Sequence, residues 1–158
     1  MAINLSTSAI ILCLFLLTFL SSALNITRTA ELNAYQVMEI YNFPPGLLPQ
    51  GSIGYDLDKN TGKFSTYLPG ACKFSLPAPS LYQIQYKSTI NGYISSNRLS
   101  RLQGITVKLF IFWVNINEVT RDGDTLKFSV DFLSASFSAT NFYSSPQCNN
   151  AKLRRSDI

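Results

Sequence analysis

The sequence predicts an α+β protein, a curled antiparallel β-sheet or partial barrel packed with one N-terminal helix. Three observations lead there. Apolar residues recur at helical spacing in one segment of the mature chain, between Thr29 and Tyr41. From Ile53 onward, apolar and polar residues alternate with the period of a strand. The aromatic content, eleven Phe and eight Tyr, favours sheet over helix.

The helix comes first. Thr29 can cap it, Glu31 falls in its first turn, and Ala34, Val37, Met38 and Tyr41 share one face. Leu32, Tyr35 and Ile40 widen that apolar stripe, which implies deep packing. Phe43-Pro44-Pro45-Gly46 ends the helix, and Gly46 to Gly51 makes a turn-rich connection.

Strands follow in order. Ile53, Tyr55 and Leu57 share a face, and Asp58 to Gly62 turns the chain back. Phe64, Thr66 and Leu68 form the next strand, Pro69-Gly70 turns again, and Cys72, Phe74 and Leu76 alternate after it. Pro77 to Ser80 reads as a loop. Tyr82, Ile84, Tyr86 and Ile90 then lie opposite Gln83, Gln85, Lys87 and Asn91 on a longer strand. Asp122-Gly123-Asp124 is a hairpin signal before Leu126, Phe128, Val130 and Phe132. The apolar parity then switches to Leu133, Ala135 and Phe137, which predicts a bulge near Phe132 and Leu133 that bends the sheet.

The segment KLFIFWVNINEV, Lys108 to Val119, is the most apolar of the sheet region. Ile105, Val107, Leu109, Ile111 and Trp113 fall on one face, and Phe110, Phe112, Val114 and Ile116 on the other. An antiparallel strand with one wet face would alternate. The expectation is a strand covered on both faces, either by protein elements alone or with one face lining an apolar ligand cavity. Phe112 and Trp113 are the candidate ligand contacts.

The N-terminus gives a cellular address. Ala9 to Leu20 is an uncharged apolar core of signal-peptide length, followed by the small residues Ser21-Ser22-Ala23. The run is short for the ~20 residues of a membrane span. Cleavage after Ala23 is therefore expected, with no transmembrane span in the mature chain and secretion to the cell exterior. The organisation becomes a signal peptide over 1–23, a short linker over 24–29, one domain over 30–148 and a basic tail over 149–158. Cleavage removes Cys13 and leaves Cys72 and Cys148. An even pair in an oxidising compartment reads as one disulfide, with two buried thiols as the competing reading. Asn25-Ile26-Thr27 is an N-glycosylation sequon.

Charge and chemistry narrow the function. With charged residues at 14% and hydrophobic ones at 46%, the chain is not a disordered one. The net charge of +4 is scattered, apart from Lys152, Arg154 and Arg155, so no nucleic-acid motif is present. That basic tail suits an anionic wall or lipid surface. The chain has no histidine, which removes the usual Ser-His-Asp and Cys-His arrangements and leaves a poor zinc site. Asp122 and Asp124 flank a turn glycine and read as turn formers. Asp56, Asp58, Asn60 and Gly62 lack the sixth-place glycine and twelfth-place glutamate of a calcium loop. No metal, cofactor or catalytic residue is assigned, and nothing in the sequence sets an oligomeric state.

Four stretches carry a family resemblance. AYQVMEIYNFPPGLLPQG (Ala34 to Gly51) resembles the opening of a plant family called domain of unknown function 538. GYDLDKNTGKFSTYLPGACKF (Gly54 to Phe74), INGYISSNRLSRLQGITVKLFIFWVNINEV (Ile90 to Val119) and SPQCN (Ser145 to Asn149) continue it in order. The resemblance implies a small secreted or endomembrane α+β protein. It also implies a sheet similar to one domain of the bactericidal/permeability-increasing lipid-binding proteins. Fold analogy connects such proteins with lipid or polysaccharide binding and with chlorophyll ester hydrolysis. The expected function is non-enzymatic binding of an amphipathic small molecule. The alternative is a wall structural or signalling protein acting through its surface, and an ester or glycoside hydrolase comes third.

Overall fold

The computed structural model describes residues 32–75, 82–131 and 133–148. Its first element is the helix α1, Ala34–Ile40. Asn33 caps it in place of the expected Thr29, because Asn33 and Gln36 satisfy one another. Each side chain accepts the other's backbone N–H at 2.9 Å, a reciprocal capping box. Thr29 and Glu31 lie outside the described residues. Ala34, Val37 and Met38 are buried as their spacing predicts, but Leu32 and Ile40 are exposed, so the stripe is narrower than expected. Phe43, almost fully buried, leads into the 3₁₀ turn Pro45–Leu47. Among the described residues no helix is long and apolar enough to cross a membrane.

Among the described residues, nine strands then form one antiparallel sheet that does not close. They are β1 (Gly54–Leu57), β2 (Lys63–Tyr67), β3 (Cys72–Ser75), β4 (Gln83–Ser95), β5 (Arg98–Leu109), β6 (Phe112–Asn115), β7 (Glu118–Asp122), β8 (Thr125–Val130) and β9 (Leu133–Ser138). The order is β1-β2-β4-β5-β7-β8-β9, with β3 on the first half of β4 and β6 on the last part of β5. The alternation seen in the sequence is real: Phe64, Thr66, Cys72, Phe74, Ile84, Tyr86 and Ile90 all point into the core.

The sheet curls because its two longest strands are irregular. β4 and β5 slip register between Tyr86 and Asn91 and again before Tyr93. Across from these slips, Arg101 and Gly104 of β5 have φ of +50° and +90°. A side chain at Gly104 would run into the Thr89 backbone carbonyl, so only glycine lets the strands approach here. Such bulges bend a strand and sharpen its twist. The curl brings Phe137 of β9, the far end of the order, against Tyr82 just before β4, with ring centroids 6.0 Å apart.

Two expectations are corrected. Lys108 to Val119 is not one strand covered on both faces. Leu109 pairs with Phe112 and Lys108 with Trp113, so Phe110 and Ile111 are the two turn residues of a hairpin and the apolar run folds back on itself. Likewise, no bulge occurs within a strand near Leu133. β8 and β9 are separate strands, with Val130 opposite Leu133. The apolar parity switches because the chain reverses direction there. Phe132 and Leu76 lie outside the described residues, as do residues 77–80 of the expected loop and the tail from 149 to 158.

Candidate functional site

The curl leaves apolar space between the two halves of the sheet. β4 and β5 contribute Ile84, Val107 and Leu109 to one wall of a cavity of about 260 Å³. Phe128 and Val130 of β8 and Phe137 of β9 form the facing wall. Three of the aromatic rings support one another: Phe128 lies 5.6 Å from Phe137 and 5.2 Å from Phe142. Phe110 and Leu133, both exposed, mark the mouth.

A second apolar cavity of about 190 Å³ lies deeper, reaching Met38, Leu47, Phe64 and Leu102. Ile84, Ile116, Phe128 and Phe142 border both spaces. Each alone is smaller than an ordinary small-molecule site of about 300–1,000 Å³, and the two adjoin at these four shared side chains. Among the described residues, Tyr82 and Tyr86 carry the only ionisable groups on either lining. The Tyr86 hydroxyl donates to the Leu47 carbonyl at 2.9 Å, and burial pushes its phenol well above the usual tyrosine range. The walls therefore offer contact surface to an apolar chain, and their described residues include no carboxylate or ammonium group.

The C-terminal segment places Phe142 at this site. Ala139 N–H donates to the Asp124 carbonyl at 2.8 Å and starts a 3₁₀ turn, Ala139–Phe142. The chain then crosses to the Pro45–Leu47 turn, where the Gln50 N–H donates to the Pro146 carbonyl at 2.9 Å. A Cβ at Gly46 would strike the carbonyls of Phe142 and Ser144, which explains the glycine of Phe43-Pro44-Pro45-Gly46. The segment ends at Cys148, disulfide-bonded to Cys72 with Cα atoms 5.0 Å apart. The expected pairing is thus present.

This core lies in the part of the chain that family comparison identifies, and Cys148 falls just beyond it. The model described as "Protein of unknown function, DUF538" matches residues 34–143. The chain belongs to the DUF538 family. No curated protein matches it.

Other expected sites of this DUF538 protein fall differently. Asn25 lies outside the described residues. Phe112 shares the inward side of its hairpin with Leu109, and Trp113 shares the outward side with Lys108. They are 67% and 40% exposed, and neither lines the two cavities. The sequence reading missed Phe110, Phe137 and Phe142 as cavity residues; the parity switch after Val130 was the available signal for the second wall. Asp58 is occupied by its own turn. Its carboxylate accepts Thr61 Oγ1 at 2.8 Å and the Asn60 N–H at 2.9 Å, which holds its pKa below the usual value. Asp56 accepts the Tyr67 hydroxyl at 2.5 Å. Among the described residues no group of acids or thiols is placed to hold a metal.

The opposite face of β4 and β5 carries a broad polar groove of about 1,020 Å³. Lys87, Arg98 and Arg101 line it, with Tyr93, Asn115 and Glu118. Glu118 pairs with Arg98 at 2.5 Å, while the Arg101 guanidinium lies over the Tyr93 ring, 5.4 Å from its centre. The groove is net positive.

Proposed function

We propose that this DUF538 protein is a secreted, non-enzymatic binder of an amphipathic, lipid-like ligand. One observation carries the reading: an apolar cavity that opens beside Phe110 and adjoins a second apolar space, with no charged side chain among the described lining residues. An acyl chain fits such a lining, and burying it supplies roughly 0.8 kcal/mol per CH₂. Phe112, on the inward side beside the mouth, meets the chain as it enters, and Trp113 reports its arrival. Helix α1 acts as the cover of the curled sheet, a role supported by the burial of Ala34, Val37 and Met38. That arrangement is of the kind expected from the likeness to the bactericidal/permeability-increasing proteins. Removal of residues 1–23 fits a chain that carries one disulfide.

The test is a titration of the delipidated protein with monomeric fatty acids and lysophospholipids, following Trp113 emission and melting temperature. Saturable binding with a raised melting temperature is expected. No response to any amphiphile would sink the proposal.

The groove favours a second reading, a surface contact with an acidic wall polymer, because three cations face one carboxylate. Salt-sensitive retention on polygalacturonate, reduced by Arg101→Ala and Lys87→Ala, is its expected signature. Hydrolysis of an ester or glycoside is the least supported, since the described lining residues supply no acid–base pair.

A further inference from the structure

The β5–β6 turn is the most exposed apolar point among the described residues. Phe110 is 98% exposed and Ile111 77%. Phe110 also has φ of +56° at the first of the two turn residues, a place that two-residue hairpins ordinarily give to glycine or asparagine. A bulky residue at positive φ is strained. The sequence therefore accepts strain and a water-exposed ring together at one point, where Asn-Gly would make the turn with neither. Neither feature serves the core. Strain that packing does not explain gathers at functional sites.

The charges behind the tip indicate what it meets. Trp113 stands directly across the hairpin from Lys108, and Lys73 Nζ lies 5.5 Å from the centre of its ring. No acidic residue occurs between Lys108 and Asn117. Glu118, the next acid along the chain, is paired with Arg98, and the Asp131 carboxylate accepts Asn117 Nδ2 at 2.8 Å. From the tip backwards the order is bare apolar side chains, then an indole with two lysines beside it. A bilayer presents the matching order: hydrocarbon, an interface that favours Trp, and anionic phosphates that attract Lys.

We infer that the β5–β6 tip docks this protein on anionic phospholipid bilayers, with Phe110, Ile111 and Phe112 entering the hydrocarbon edge and Trp113, Lys73 and Lys108 at the headgroups. A protein partner is the poorer fit. Stable protein interfaces bury about 800 Å² on each side, whereas a two-residue turn is narrow and convex. The inference rests on the tip and not on the cavity. Because Phe110 belongs to both, a docked protein holds the cavity mouth against the membrane.

The experiment mixes the full chain with vesicles of phosphatidylcholine plus phosphatidylserine, and separately with phosphatidylcholine alone. Binding is read by co-sedimentation and by the emission of Trp113, the only tryptophan in the chain. Expected is binding to the anionic vesicles with a blue shift, weaker without phosphatidylserine and weaker in high salt. Ile111→Ser should lower the partition coefficient by about tenfold, since one large apolar side chain leaves lipid. Its melting temperature should not change, because Ile111 is exposed. Lys73→Gln with Lys108→Gln should remove most of the phosphatidylserine preference. Uptake of monomeric fatty acid by Ile111→Ser should equal that of the unaltered chain, so failure of docking and failure of the cavity reading are separable. Three results would overturn the inference: no binding to anionic vesicles, unchanged binding by a folded Ile111→Ser, or tip-dependent self-association without lipid that accounts for the sedimentation.

Discussion

Replacing Val107 with Phe puts the apolar cavity to a direct test. Val107 lies on the inward side of β5, between Ile84 of β4 and Val114 of β6, and lines the space of about 260 Å³. In a close-packed core, a larger side chain displaces its neighbours and costs about 1–3 kcal/mol. Here the added ring enters open space between Val107 and Phe128. The extra apolar carbons would gain at most roughly 3 kcal/mol at about 0.8 per CH₂. The rotamer forced on the ring by Leu109 and Ile116 offsets part of this. The expected net effect is between zero and about 2 kcal/mol of added stability, with acyl-chain affinity lowered by at least about tenfold as the space fills. Urea denaturation gives the first number, and displacement of a fluorescent fatty acid gives the second. A loss of stability of 1 kcal/mol or more, with ligand affinity unchanged, would refute the cavity as the binding site.

Three shorter predictions follow from burial, pH and backbone geometry. Phe112→Ala should cost well under about 1 kcal/mol, because the residue is 67% exposed, whereas Phe64→Ala, at 2% exposure, should cost about 3–5 kcal/mol in the same denaturation assay. Above about pH 10 an unfolded tyrosine ionises while buried Tyr86 resists, so stability should fall as pH rises beyond that value. Tyr86→Phe should make that alkaline decline shallower, at a cost near neutrality of about 1–3 kcal/mol for the unpaired Leu47 carbonyl. Gly104→Ala, at φ +90° and against the Thr89 carbonyl, should lose more than about 1 kcal/mol, and a melting temperature equal to that of the unaltered chain would contradict the bulge geometry.

Much of the fold was legible because local and tertiary signals agree in this chain. The positions Phe64, Thr66 and Leu68 alternate and are all buried. Asp122-Gly123-Asp124 has a glycine at φ +56°, so the turn chemistry is written in the residue itself. The two missed hairpins have no such residue. Phe110 and Asp131 take positive φ without being glycine or asparagine, and an apolar turn such as Phe110-Ile111 cannot be told from a strand by periodicity. The cavity was illegible for a different reason. Its walls come from β4–β5 and β8–β9, which meet through the curl, and the curl depends on bulges that leave only faint marks such as Gly104. The family resemblance and the cysteine pairing were readable; the wall formed by Phe142 was not.

Phe142 ties the disulfide to the binding site. Residues 143 to 148 carry no regular structure and reach the rest of the fold through a few hydrogen bonds: the Gln50 N–H to the Pro146 carbonyl, Gln50 Nε2 to the Ser145 carbonyl at 3.0 Å, and Ser145 Oγ to the Pro45 carbonyl at 3.2 Å. Gln50 and Ser145 are near solvent, and such bonds contribute only about 1 kcal/mol each. The Cys72–Cys148 bond closes a loop across a separation of 76 residues, worth about 4 kcal/mol in the chain-entropy treatment. It is therefore the strongest restraint on the segment that carries Phe142 into both cavities. Replacing Cys72 and Cys148 together with Ala should lower stability by about 2–4 kcal/mol. It should also weaken acyl-chain binding beyond what the unfolded fraction explains, because the wall is freed before the sheet melts. Measured well below the melting temperature, ligand affinity separates the two effects. Unchanged affinity in the folded double variant would mean that the hydrogen bonds alone fix Phe142 and that the disulfide serves stability only.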